Sequence, residues 1–353
     1  MMPPKKITQL MLTRGFGGAE RHFVDLSLAL ADRGYLIQAI CHPEFSHRQS
    51  LEKHANIEVA PVRAHGYWDL WSARCIRQAI TRFAPDIIHT HLARGAHLGG
   101  KAAARLGIPC VVNLHNYIDL KYYRNIDAFI AATADQRRYL LAEGVSEALV
   151  TVMPHFSLLP ATSPVLIPEN QPIRFVTLGR MVKKKGFDVL ISAFRDYLNA
   201  GHDGRLLIGG DGPERDALHA LAAHPEVAGK IEFAGWIDDI AAFLSKGDVF
   251  VLPSRDEPFG IVVLEAMASG RPIISTRTQG PITILDDQTA YFTEIGDDAT
   301  ITAAMLEIAS DRHAAMAKAQ AASALYQSTF YADAVVPRVE AIYEQLSQRR
   351  PSI

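Results

Sequence analysis

The stretch DVFVLPSRDEPFGIVVLEAMASGRPIIST (248–276) decides how the rest of the chain is read. DVFVLPS (248–254) and PIIST (272–276) are short apolar runs of strand type. Between them RDEP is a loop, because Pro258 biases Glu257 away from helical backbone angles. FGIVVLEAMASG is then a helix ended by Gly270, with an apolar body suited to packing under a sheet. A strand that leads through a helix to another strand is the crossover unit of a parallel sheet. The oddity is a pair of carboxylates. Glu257 stands just before the helix and Glu265 about two turns into it, at the two ends of an otherwise hydrophobic segment.

The same alternation extends in both directions. KKITQLML (5–12), LIQAICH (36–42), DIIHTH (86–91), PCVVNLH (109–115) and AFIAAT (128–133) read as strands, with helical patterns such as 18–35 and 96–107 between them. SLLPATSPVLIPENQP (157–172) holds four prolines and no helical period, which reads as a linker. Alternation resumes at IRFVTLG (173–179), GRLLIGG (204–210) and KIEFAG (230–235). The expectation is two doubly wound α/β domains of similar size, 1–160 and 172–334. YADAVVPRVEAIYEQLSQRR (331–350) reads as an amphipathic helix, with Arg349 and Arg350 in a last turn that suits the macrodipole. Its segment 335–353 is expected to pack back onto the first domain.

A chain of 353 residues with net charge −2 and 21% charged residues is an ordinary globular protein, without the basic footprint of a nucleic-acid binder. Charge is uneven: residues 1–160 carry 18 Lys/Arg against 13 Asp/Glu, or +5, leaving −7 for the remainder. The first half therefore suits an anionic surface or acceptor. Cys41, Cys75 and Cys110 are widely spaced and form no CxxC pair, which points to reduced thiols in the cytoplasm. No signal peptide or transmembrane run is apparent.

In open parallel sheets ligands bind beyond the carboxyl ends of the strands. After the first strand comes TRGFGGAER (13–21), where Gly15, Gly17 and Gly18 lead into a helix and suit either a tight turn or a close anion. It is a poor dinucleotide fingerprint, since the third glycine position falls on Glu20. After 173–179, Arg180 and Lys185 stand in a turn closed by Gly186, and together they suit a diphosphate. Gly210, in GGDGPERDAL (209–218), belongs to another close-approach turn. The amides of Phe259 and Gly260 can face an anion at a helix start, flanked by Glu257 and Glu265. Taken singly, Glu257 also reads as a helix-start acid and Glu265 as a surface residue.

In combination, GRMVKKKG, GGDGP and EPFGIVVLEAMASGRPII resemble, in order and spacing, the donor half of retaining glycosyltransferase family 4. Its Glu-x7-Glu signature corresponds to Glu257 and Glu265. GFGGAER resembles the family's N-terminal glycine loop, VVNLHN its active-site histidine segment, and KYYRNIDAFIAATADQRRYLLAEGV the stretch that follows. The resemblance implies a GT-B fold, two Rossmann-like domains facing each other across a cleft. It implies transfer of a sugar from a nucleotide-diphosphate sugar to a hydroxyl of a growing glycan or glycolipid, such as lipopolysaccharide core or exopolysaccharide. Arg180 and Lys185 would then bind the diphosphate, Glu265 the ribose, and Glu257 the donor sugar beside the Phe259 and Gly260 amides. His115 would lie against the transferred sugar, and Gly17 and Gly18 near the phosphates and acceptor. No protein nucleophile and no metal cofactor are implied; the acids at 238–239, 286–287 and 297–298 read as turn or helix-cap residues.

This chain departs from the family in two places. TRTQGPITILDD (276–287) keeps Gly280 and Pro281 but has Thr283 near the usual Glu, and PHFSLL (154–159) replaces a PNG turn. The spacing of His89 and His91 suits a polar wall or, with a third ligand, a metal. His42 and His155 read as surface or hydrogen-bonded polar residues. In GYWDLWSARCIRQAITRF (66–83), Ile76, Ile80 and Phe83 share a helix face, which suits a core-facing helix. Trp68, Leu70 and Trp71 among Arg74, Arg77 and Arg82 also suit peripheral contact with an anionic membrane. The alternatives to a transferase are a GT-B nucleotide-sugar epimerase, which needs no acceptor, and a non-catalytic sugar-nucleotide-binding subunit.

Overall fold

Parallel strands buried on both faces make up two sheets in the computed structural model, which describes residues 5–15, 17–117, 119–169 and 171–348. The first contains β1 (Lys6–Met11), β2 (Leu36–Cys41), β3 (Ile57–Pro61), β4 (Ile87–His91), β5 (Cys110–Leu114), β6 (Ala128–Ala131) and β7 (Val150–Val152). Their order is β3-β2-β1-β4-β5-β6-β7. The second contains β8 (Ile173–Leu178), β9 (Gly204–Gly209), β10 (Ile231–Gly235), β11 (Val249–Leu252), β12 (Ile273–Thr276) and β13 (Tyr291–Thr293), in the order β10-β9-β8-β11-β12-β13. Each sheet thus reverses its winding direction once, between β1 and β4 in the first and between β8 and β11 in the second. Three strands absent from the sequence reading, β3, β7 and β13, are all edge strands. They are short and partly solvated, so their apolar signal is weak.

The chain divides into two compact units, one running through Leu158 and including the helix from Ala332, the other Leu159–Tyr331. In the first, the helices Gly18–Asp32 and Ala332–Gln348 cover one face of the sheet. Phe23, Leu26, Val335, Val339 and Tyr343 share a core there with Ile7, Met11, Ile37 and Val111. Arg33 donates to both carboxylate oxygens of Glu340 at 3.0 Å, and Lys5 pairs with Glu344 at 3.3 Å. Arg349 and Arg350 lie outside the described residues. The other face carries the helices Leu70–Phe83 and Leu92–Leu106, whose Ile76, Ile80, Leu98 and Ala102 pack with Leu10, Ile40 and Ile88. Helix 70–83 is therefore core-facing, while Trp68, Leu70 and Trp71 at its start stay exposed at 74%, 86% and 63%. Asp69 caps that start by accepting from the amides of Trp71 and Ser72 at 3.1 Å.

In the second unit the proline-rich stretch after Leu159 is held rather than free. The Thr162 amide donates to the Ala268 carbonyl at 2.8 Å, and Ile167 is buried. Apart from Glu265, the helix Ile261–Ala268 is apolar, and it is almost wholly buried, as the sequence suggests for its apolar body. The paired acids at 239, 286 and 297 do cap helices or turns: Asp239 accepts from the Ala242 amide, Asp286 from Gln288, and Asp297 from Ala299.

Backbone-to-backbone packing fixes the turns at the strand ends. Gly186 has φ +66°, and a Cβ there would lie 2.0 Å from the Pro253 carbonyl oxygen. Gly186→Ala is expected to lower the stability of this unit by roughly 2–4 kcal/mol, combining left-handed strain with overpacking. The check is a urea titration followed by fluorescence; an unshifted midpoint would show that the turn has slack.

Candidate active site

Four turns at the carboxyl ends of the second sheet are laced together around its switch point. The Gly179 amide donates to the Gly209 carbonyl at 3.1 Å, and Met181 to Asp211 at 2.9 Å. Gly210, at φ +121°, lies so close to Gly179 that a Cβ would fall 1.9 Å from its oxygen. The turn after β8 is clamped to the one after β11. The Arg255 amide donates to the Lys184 carbonyl at 2.7 Å, and its guanidinium grips Asp188 at 2.7 and 2.8 Å. That bond holds the Asp188 carboxyl below its ordinary pKa. The turn after β12 joins through the Gly280 amide, which donates to the Glu257 carbonyl at 2.8 Å, and Gly280 has no room for a Cβ beside Phe259.

This lacing brings Lys185 to Glu257. Lys185 lays its stem over Gly179 and donates to the Glu257 carboxylate at 2.5 Å, with both side chains largely buried. Arg180 is exposed, and its guanidinium has no hydrogen-bond or ion-pair partner among the described residues. Phe259 is buried, and Gly260, at φ +94°, starts the helix that carries Glu265. Glu265 is only 4% exposed, so the surface reading of that residue is replaced by a buried one. The switch point thus gathers a buried ion pair, an uncommitted cation and a glycine-entered helix start. A basic, backbone-lined turn of this kind can neutralise an anion, and the carboxylates can accept from hydroxyl groups.

The first sheet gathers different chemistry. Gln9 pairs in register with His89, and His91 with Asn113, so these polar side chains form a stripe on one face. His91 Nε2 lies 2.8 Å from Gln9 Oε1, and His91 Nδ1 lies 3.1 Å from His115 Nε2. His89 bridges Asn113 Oδ1 and the Tyr343 hydroxyl, both at 2.6 Å. The Asn113 amide nitrogen is 2.9 Å from His22 Nε2, and His155 stacks between His22 and His115 with ring centroids at 4.4 and 4.8 Å. His155 is therefore buried within a histidine cluster, which corrects its reading as a surface residue. His42 is buried too, accepting from the Glu44 amide at 3.1 Å. Among the described residues no group of three or more His, Cys, Asp or Glu is placed to hold a metal ion, and both ring nitrogens of His89 and of His91 face Asn113, Tyr343, Gln9 or His115. Gly17 and Gly18 are exposed at the start of the helix that bears His22. Leu92, at φ +60°, turns the chain from β4 straight into a helix and sets His91 at the strand end.

Sequence reasoning missed Gln9, His22, Asn113 and Tyr343. The available signal was the match of His89 and His91 to Asn113 and His115, two polar pairs at strand spacing in adjacent apolar strands.

Comparisons with known proteins agree with this architecture. Residues 16–156 match the profile described as Glycosyltransferase Family 4, and residues 172–311 that of Glycosyl transferases group 1. The chain is 33% identical over 314 residues to the lipopolysaccharide core biosynthesis glycosyltransferase LpsE of Rhizobium meliloti, covering 84% of this chain and 86% of the relative. It is 31% identical over 306 residues to LpsD of the same organism, covering 84% and 85%. Among solved structures, Anabaena HepE in complex with UDP and glucose superposes with a TM-score of 0.82 at 19% identity, over 97% of this chain and 100% of that one. The fold is of the GT-B type, and the enzyme class is glycosyl transfer. The chain belongs to glycosyltransferase family 4.

The histidine cluster makes stability depend on pH. Burial, reinforced by the neighbouring imidazoles, pushes His22, His91 and His115 well below 6.5. Burial brings His89 to about 4 and His155 to about 3. Below about pH 6.5 the unfolded chain binds these protons and the folded one does not, so stability falls as pH drops. Each histidine kept neutral contributes a slope of about 1.4 kcal/mol per pH unit. Asp25 opposes this, since burial raises its carboxyl to about 6 despite Arg21, but it is one group against five. Urea unfolding is expected to show several kcal/mol lost between about pH 7 and pH 5, and His155→Leu to flatten the dependence. A midpoint constant over this range would contradict the neutral cluster.

Proposed function

We propose that the protein is a retaining glycosyltransferase that moves a sugar from a nucleoside-diphosphate sugar to a hydroxyl of a growing cell-surface glycan of the lipopolysaccharide-core type. The observation that carries this is the buried Lys185–Glu257 pair beside Arg180, whose guanidinium has no partner among the described residues, at the switch point of the second sheet. Arg180 and Lys185 take the donor diphosphate, helped by the Phe259 and Gly260 amides. Glu265 takes the ribose hydroxyls and Glu257 those of the sugar. Gly210 keeps the floor of the turn narrow, while Gly17 and Gly18 leave room for phosphate and acceptor. His115 lies against the transferred sugar. The uridine nucleotide held by HepE and the names of LpsE and LpsD support this reading of donor and product.

In the reaction the bond from the anomeric carbon to the phosphate oxygen breaks, and a bond from that carbon to the acceptor oxygen forms on the same face. The acceptor proton passes to the departing phosphate, giving the glycoside and a nucleoside diphosphate. The transition state resembles an oxocarbenium ion, and charge growing on the leaving group is met by the two cations and the helix amides. The proposal assigns no metal to this role.

Membrane contact is a second part of the proposal. Trp68, Leu70 and Trp71 are exposed together, Lys101 lies 4.5 Å over the Trp68 ring, and Arg74 and Arg82 are exposed on the following helix. Rings at headgroup depth beside cations suit the anionic inner face of a cytoplasmic membrane. Among the described residues no helix is long and apolar enough to cross a membrane.

Two measurements test the proposal. In a screen of nucleotide sugars with acceptor glycolipid, Arg180→Ala and Lys185→Ala should each cost about 2–4 kcal/mol of transition-state stabilisation with the fold intact. Wild-type turnover in the double variant would overturn the diphosphate site. Sedimentation with anionic and neutral vesicles should show anionic, salt-sensitive binding that Trp68→Ser with Trp71→Ser abolishes; equal recovery in every supernatant would remove the membrane contact.

A further inference from the structure

Within the first unit, hydrogen bonds join Gln9 to His115 through His91, beside a second set that joins Asn113 to Tyr343 through His89. Their directions can be followed bond by bond. Asn113 presents Oδ1 to His89 Nε2 at 2.6 Å, so His89 carries its proton there and offers Nδ1 as an acceptor. The Tyr343 hydroxyl, 2.6 Å from Nδ1, spends its one proton on it. The Gln9 amide nitrogen is buried and has no hydrogen-bond partner among the described residues. Gln9 presents Oε1 to His91 Nε2 at 2.8 Å, so the proton of His91 sits on Nε2. His91 Nδ1 must then accept, and the group 3.1 Å away, His115 Nε2, must donate.

We propose that Gln9 is a positioning residue that, through His91, holds His115 as the neutral tautomer protonated on Nε2, leaving the Nδ1 lone pair to accept from a hydroxyl of the transferred sugar. The catalytic use of that lone pair rests on the role given to His115 above; the tautomer itself does not. Burial of the whole chain of groups serves the same end. His89, His91, Asn113 and Tyr343 are all sealed from water, so no solvent molecule can substitute for a lost partner.

The test reads the ring nitrogens of the histidines by two-dimensional nitrogen–proton NMR on the full chain without donor, with His115→Gln to assign the signal. Wild-type protein at pH 7.5 is expected to show His115 protonated on Nε2 alone. Gln9→Met, which removes the acceptor at similar volume, should give a mixture of tautomers and lower kcat at least tenfold, with the donor KM changed less. Gln9→Glu, which keeps an acceptor toward His91, should restore the Nε2 tautomer. If Gln9→Met does not fold, Gln9→Leu also removes the acceptor and should give the same mixture. A wild-type proton on Nδ1, the arrangement reached by turning the Gln9 amide over, would overturn the proposal. So would an unchanged tautomer in every folded variant, or wild-type kcat in a variant whose tautomers are mixed. Because the spectrum is taken without donor, failure of the transferase reading would appear separately, as absence of turnover in the wild type.

Discussion

A parallel sheet wound in both directions from its centre must leave a gap where the winding reverses, because the connections on the two sides leave toward opposite faces. That constraint acts on both units of this protein. Between β8 and β11 the gap is rimmed by Arg180, Lys185 and Glu257; between β1 and β4 it is rimmed by the Gly17 turn, His22 and His91. Backbone amides and side chains at these points cannot be covered by a crossover helix, so they remain for a ligand. Everything else is arranged to keep the rim in place, from the glycine contacts that knit the turns to the Arg255–Asp188 pair that clamps two of them.

The two rims solve opposite electrostatic problems. The second unit concentrates charge and keeps it compensated, with Lys185 held by Glu257. A buried ion pair of this sort is poor stabilisation but good preorganisation, since its groups are already desolvated and aimed. The first unit excludes charge. Five imidazoles share a dry space in which protonating one raises the cost for the rest, so they act as neutral donors and acceptors. Neutral histidines can polarise and orient sugar hydroxyls without competing for the leaving group's negative charge.

The central strands were legible because each is a run of apolar residues bounded by turn residues, as in DVFVLPS and PIIST. Edge strands β3, β7 and β13 were not, since β3 and β7 are partly solvated and β13 is only three residues long, so none carries such a run. Glu257, Glu265, Arg180 and Lys185 could be picked out because they interrupt local patterns at strand ends. The His115 network could not be assembled that way. Gln9, His22, His91, Asn113 and Tyr343 each look like a single polar residue in an apolar context, and nothing local says which ones meet.

Sequence alone determined the alternation of strand and helix, and with it which turns lie at the ligand-bearing ends, because hydrophobic period and turn chemistry are local properties. Tertiary structure decided the rest. Register placed Gln9 beside His89 and His91 beside Asn113, and packing of the last helix brought Tyr343 to the same cluster. It also decided that Lys185 meets Glu257 across two turns. These are pairings between residues far apart in the chain, fixed by which strands are neighbours and which helix covers them, and no local pattern records them.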